Sequence, residues 1–258
     1  MKRVILPALL RPMFRSLLGF QQPLRDDLVA CVVPSGDGSR LEGAWLEAKG
    51  EPRGVVVLCH PFLKYGLHYY VRNGLADALA GAGFHVVLFN FKGFGRSEFA
   101  GLAFHDDVLG AIAFARRRSP GLPVHVLGSS FGGFHAVHAL ARSDGAAQHA
   151  VIDSTPLRAT DFFRAGPVAR AFRVASGSAW GKRYGAGSIL EDIPRIQRTS
   201  LHFIYGEADA ICSAADRLEL GRLIAPDQVT LLRGAGHLDG FKRDPERYER
   251  ILRERLSR

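Results

Sequence analysis

Short, continuous runs of apolar residues recur along the chain, and between them lie stretches whose apolar positions return every three or four residues. The first kind reads as β-strand and the second as amphipathic helix. Residues 28–33 and 41–48 form an opening antiparallel pair, with Pro34-Ser35-Gly36-Asp37-Gly38 as the turn between them. Residues 54–59 are apolar throughout, as expected of a strand buried on both faces. The alternation continues with a helix over 70–82, a strand over 84–89, a helix over 106–117 and a strand over 124–127. A helix over 131–142 and a strand over 149–152 follow. The final part holds strands at 201–205 and 229–232 and helices at 214–224 and 245–256. Strands that alternate with helices predict an α/β fold with a mostly parallel central sheet flanked by helices.

Residues 156–199 break this rhythm. They hold no clear strand, Gly-rich stretches (Gly177, Gly181, Gly185, Gly187) and a mixture of Phe and Arg. A structureless loop of that length does not suit a compact domain, so a small helical cap insertion is expected there. The opening Met1-Lys2-Arg3-Val4-Ile5-Leu6-Pro7 starts like a secretory signal. Pro7, Arg11, Pro12 and Arg15 then interrupt the apolar run, and no small-residue cleavage site follows. Residues 1–25 are therefore expected to form a basic N-terminal arm, packed on the body or touching a membrane, ahead of one domain over 26–258. The expected location is cytoplasmic.

Composition narrows the picture further. The 258 residues are 47% hydrophobic and 23% charged, which excludes a disordered chain. Cys31, Cys59 and Cys212 make no disulfide framework, and no apolar stretch is long enough for a membrane helix. The net charge of +9 is uneven. Residues 1–25 carry five basic and no acidic side chains, residues 156–199 eight and three, and residues 242–258 seven and four. Such patches suit an anionic carrier or a peripheral membrane contact. Nucleic acid is not an expected partner, because no recognition motif accompanies the charge.

The chemistry centres on Gly128-Ser129-Ser130-Phe131-Gly132, a G-x-S-x-G pattern that directly follows the strand over 124–127. A serine presented at a sharp strand-to-helix turn needs neighbours without side chains two positions away, and Gly128 and Gly132 meet that need. With its flanking strand and helix, this motif resembles the nucleophile elbow of the α/β-hydrolase superfamily. The resemblance covers roughly residues 28–257 and implies the α/β-hydrolase fold with a small cap. It also implies a triad in the order Ser, acid, His. Tyr205-Gly206-Glu207-Ala208-Asp209 resembles the family's Gly-x-x-Asp turn, which places Asp209 as the acid. Gly234-Ala235-Gly236-His237 resembles its Gly-x-x-His loop, which places His237 as the base. Asp153, Glu207 and Asp239 compete with Asp209 for the acid role.

The resemblance further implies an oxyanion hole made by the backbone N–H groups of Phe131 and Phe62. The latter sits in His60-Pro61-Phe62, where Pro61 replaces the family's usual glycine. Asn90-Phe91-Lys92-Gly93-Phe94-Gly95-Arg96-Ser97 resembles a further family loop, read as scaffold. Phenylalanines crowd the loops near Ser130, and His60, Phe94, Phe162 and Phe163 are candidate substrate contacts for an apolar acyl group. His135 and His138, three apart on one helix, lack a third ligand, so no metal and no cofactor are expected. The expected activity is hydrolysis of a carboxylic ester through an acyl-enzyme intermediate, with a small-molecule acyl compound as substrate. Thioesterase, amidase or acyltransferase action on an acyl group with an anionic carrier stays open, as does lyase chemistry on the same fold.

Overall fold

The computed structural model describes residues 21–162 and 187–256. Its apolar runs form eight strands: β1 Val29–Pro34, β2 Arg40–Leu46, β3 Gly54–Cys59, β4 Phe84–Phe89, β5 Val124–Ser129, β6 His149–Asp153, β7 Ser200–Gly206 and β8 Val229–Leu232. They make one sheet in the order β1-β2-β4-β3-β5-β6-β7-β8. The pairs β1–β2 and β2–β4 are antiparallel, and every later pair is parallel. The α/β-hydrolase fold expected from the sequence is the fold observed.

Among the described residues, seven helices connect and cover the strands: α1 His68–Arg72, α2 Leu75–Gly81, α3 Phe104–Arg118, α4 Phe131–Arg142, α5 Ala214–Leu220, α6 Gly240–Arg243 and α7 Pro245–Leu256. Strand alternation divides the core in two. On β3, Val55, Val57 and Cys59 meet the apolar faces of α3 and α4. Val56 and Leu58 point the other way, toward α1, α2 and α7. Burial of both faces is why β3 has no polar position.

Two expectations are corrected, and one short helix is added. The single helix over 70–82 is two, because Gly74 takes φ +85° and Asn73 Oδ1 accepts the Leu75 N–H at 3.1 Å, which restarts the chain as α2. The helix expected to reach residue 224 ends at Leu220, where Gly221 follows and the next turn tightens to i→i+3 bonds. The short α6 was too brief to carry a helical period.

The cap expected over 156–199 and the arm expected over 1–25 fall largely outside the described residues. What is described of the first region is local. Ala159–Phe162, Ile189–Glu191 and Ile193–Arg195 are short 3-10 turns. A bridge between Arg158 and Ser188 holds the two ends side by side, with the Ile189 N–H donating to Leu157 O at 2.9 Å. Among the described residues, no helix is long and apolar enough to cross a membrane.

Candidate active site

The turn from β5 into α4 carries Ser130 at φ 50° and ψ −114°, a conformation that costs a non-glycine residue about 1–3 kcal/mol. Close packing enforces it. A Cβ on Gly128 would meet Gly133 Cα at 2.6 Å, and one on Gly132 would run into the Cys59 carbonyl of β3. The strained serine is then held from both sides, its N–H donating to Asp153 O at 2.8 Å and its carbonyl accepting from Phe134 N–H at 2.9 Å.

His237 arrives on the loop after β8. Its Nε2 lies 3.1 Å from Ser130 Oγ, and its Nδ1 lies 2.9 Å from Asp209 Oδ2. Asp209 stands on the loop after β7. Its second oxygen accepts the N–H groups of Ile211 at 2.8 Å and Cys212 at 2.9 Å. Burial opposes ionisation of Asp209, but His237 and these two N–H groups outweigh it and hold the carboxyl below its ordinary value. The three residues read from separate motifs are thus one hydrogen-bonded chain.

The competing carboxylates are engaged elsewhere. Asp153, at the end of β6, accepts from Ser154 Oγ at 3.0 Å and lies 3.4 Å from Ser129 Oγ; burial pushes its pKa up to about 6. Glu207 accepts the Gly234 N–H at 3.1 Å. Asp239 flanks the start of α6 and makes no side-chain bond to His237.

The two backbone donors expected to form the oxyanion hole belong to Phe131 and Phe62. The Phe131 N–H opens α4, where a helix leaves its first N–H groups without intrahelical partners. Neither it nor the Phe62 N–H donates to an acceptor among the described residues. The Pro61 carbonyl is fixed by His60 Nδ1 at 2.8 Å and by the Leu63 N–H at 2.7 Å. In a trans peptide the next N–H points opposite to that carbonyl, so holding Pro61 O also sets the direction of the Phe62 N–H.

The expected substrate contacts are not all at the surface. His60 and Phe94 are 0% exposed, with ring centroids 4.7 Å apart behind Phe62, so they support that loop instead of lining open space. The Phe91 N–H donates to His60 Nε2 at 3.1 Å, which obliges Nδ1 to carry the proton. Burial drives the His60 pKa down to about 4 and keeps the ring neutral. Phe62 is 40% exposed and packs edge-on against Phe131 at 5.3 Å. Phe162 lies 5.4 Å from Phe134 and 6.3 Å from Phe131. Phe163 lies outside the described residues.

A family model for the alpha/beta hydrolase fold matches residues 54–176, which include β3, the elbow and α4. The chain has the α/β-hydrolase fold. Among curated proteins it is similar to the uncharacterized protein YfhR of Escherichia coli K12, 26% identical over 85% of this chain and 76% of that protein. Among solved structures, an esterase of Pyrococcus furiosus superposes with a TM-score of 0.69 at 16% identity, covering 93% of this chain and 97% of that one. A serine hydrolase without lid from Xanthomonas campestris gives 0.62 at 19% identity, covering 92% and 96%.

In this α/β-hydrolase-fold chain, several residues around the elbow carry no motif of their own. Tyr70 OH lies 2.8 Å from Cys59 O and 3.0 Å from Ser129 Oγ, which ties α1 to the turn. The Leu238 N–H donates to Ser154 Oγ at 3.2 Å, with both residues at positive φ, which pins the loop that bears His237. Only the short polar side chain of Ser154 after a strand hinted at such a role. The loop over 90–97 is anchored from below. Lys92 is fully buried and paired with Asp37 and with Asp107, the latter at 3.2 Å. His138 on α4 pairs with Asp192, and it belongs to no cluster of three or more metal-ligating side chains among the described residues.

Proposed function

We propose that the chain is a serine hydrolase that cleaves a carboxylic ester with an apolar acyl group. The observation that carries this reading is the continuous chain Ser130 Oγ–His237 Nε2 at 3.1 Å and His237 Nδ1–Asp209 Oδ2 at 2.9 Å, mounted on a strained elbow. A hydroxyl becomes a competent nucleophile when a neighbouring imidazole accepts its proton. Ser130 Oγ attacks the ester carbonyl while His237 Nε2 takes the proton. Asp209 keeps the imidazole in the required tautomer and stabilises its cation. The oxyanion is met by the N–H groups of Phe62 and Phe131, and His237 returns the proton to the leaving alcohol. Water, activated by the same imidazole, then releases the acid and restores Ser130.

The preference for an apolar acyl group is supported by the aromatic wall of Phe62, Phe131 and Phe162 beside the serine. The esterase and serine hydrolase among the solved neighbours lend the reading further support. The test is turnover of p-nitrophenyl esters of increasing chain length by wild type and Ser130→Ala, with thioesters and amides in parallel. Loss of the triad serine should lower the rate by several orders of magnitude, about 10⁴ or more. An ester turnover equal in the two proteins, or absent from both, would overturn the reading.

A further inference from the structure

Cys212 stands beside the Ser130–His237–Asp209 chain yet takes no part in the proposed reaction. Its side chain is 1% exposed, and its N–H donates to Asp209 Oδ1 at 2.9 Å. The Cys212 sulfur, an Asp209 carboxylate oxygen and a His237 ring nitrogen all lie within 4.8 Å of one another. No other group of three or more His, Cys, Asp or Glu side chains converges in this way among the described residues.

We propose that Asp209, Cys212 and His237 form an inhibitory site for a thiophilic divalent cation of the zinc and cadmium class. Zinc is bound tetrahedrally with bonds of about 2.3 Å to sulfur and about 2.0–2.2 Å to nitrogen and oxygen, so a modest contraction of this trio encloses the ion. Water fills the fourth position. Thiolate with imidazole selects such ions, whereas magnesium and calcium prefer oxygen ligands throughout.

The protons account for the inhibition. The cation bonds the Cys212 sulfur and releases the thiol proton to solvent. It bonds His237 at Nδ1, and the imidazole proton that sat there moves to Nε2. The nitrogen facing Ser130 Oγ then carries a hydrogen and has no lone pair with which to accept the serine proton. The ion therefore silences the base without touching Ser130. This inhibitory consequence rests on the hydrolase reading above, but the binding site does not.

The experiment titrates cadmium into wild type, Cys212→Ala and the nearly isosteric Cys212→Ser. Binding is read from the ultraviolet thiolate-to-cadmium charge-transfer band and from competition with a chromophoric chelator, and ester turnover in zinc is followed in parallel. Wild type should take one ion per chain with the band present. The Cys212 variants should lack the band, bind at least about 10-fold more weakly and keep their ester turnover at zinc concentrations that silence wild type. The serine variant serves if the alanine variant fails to fold. A band that persists without Cys212, an unchanged affinity, or no binding by wild type would overturn the site. Binding as expected in a protein that hydrolyses no ester would uphold the site and sink the hydrolase reading instead.

Discussion

His60 donates from Nδ1 to the carbonyl of Pro61 at 2.8 Å, and through that bond a fully buried ring sets the direction of the Phe62 N–H. His60→Phe keeps the aromatic volume and removes both ring hydrogen bonds. The Pro61–Phe62 peptide is then held by the Leu63 N–H alone, and a donor to the oxyanion is lost for part of the time. Loss of one such donor costs roughly 10²–10³ in kcat in other acyl-transfer enzymes, so a fall of about 10–100-fold is expected here, with KM little changed. Steady-state kinetics on the best p-nitrophenyl ester measure it. A variant with wild-type kcat would show that the Phe62 N–H does not serve the oxyanion.

Two buried carboxylates lie near the imidazole, and their surroundings predict opposite outcomes. Asp209→Asn removes the charge that faces His237 Nδ1 at 2.9 Å and favours the wrong tautomer, so kcat should fall by about 10³–10⁴. Asp153 faces Ser154 and Ser129 instead, through different oxygens, and an amide can accept from one hydroxyl and donate to the oxygen of the other. Asp153→Asn should therefore retain kcat within about tenfold, since hydrogen bonds between buried neutral groups are each worth only about 1 kcal/mol. If the two variants exchanged these effects, the acid would have been assigned to the wrong strand end.

The different legibility of these residues has a physical cause. Strands β3, β4 and β8 and helices α4 and α7 could be bounded from sequence because each is a continuous or periodic apolar run ended by Gly, Pro or polar residues. Ser130, Asp209 and His237 could be singled out because each sits in a local glycine-bearing motif. Tyr70, Ser154 and Cys212 carry no such local signal, and the motif that marks His60 does not reveal its place behind Phe62. Their partners are set by which loops the parallel sheet brings to one end, as when Tyr70 meets Ser129 across 59 residues and Leu238 meets Ser154 across 84. The break at Asn73–Gly74 was hidden for another reason: the apolar period of α1 and α2 runs through it, and only the positive φ of Gly74 reveals the restart.

Lys92 fixes the loop over 90–97 by pairing with Asp37 and with Asp107, and both Lys92 and Asp107 are fully buried. Removing one partner of a buried pair strands the other charge. Lys92→Met should thus destabilise the fold by about 3–5 kcal/mol, seen as a lowered midpoint in denaturant unfolding. The double variant Lys92→Met/Asp107→Leu should recover much of that loss, because it removes the stranded carboxylate as well. No recovery in the double variant would mean that the loop is held by its other contacts, such as the Asn90 side chain accepting the Leu67 N–H at 2.7 Å.

Acid should unfold this protein through its buried histidines. Burial lowers the pKa of His60, His105 and His125 to about 4 and that of His135 well below its ordinary value. In the unfolded chain these rings titrate near 6.5, so between about pH 6.5 and pH 4 the unfolded state binds more protons and stability falls as pH falls. Asp107 and Asp153 act in the opposite sense, because burial raises each to about 6 and the folded state takes up their protons first. Burial lowers His68 and raises Asp106 as well, so five histidines stand against three carboxylates and leave a net loss. The thermal midpoint should therefore drop between pH 7 and pH 4.5, read by scanning calorimetry. His125 makes the sharpest case: both its ring nitrogens are buried without a hydrogen-bond partner, and it stacks on His149 with centroids 5.2 Å apart. His125→Leu should flatten the pH dependence by about one proton's worth, and a variant with the wild-type slope would show that His125 is not among the groups that take up protons on unfolding.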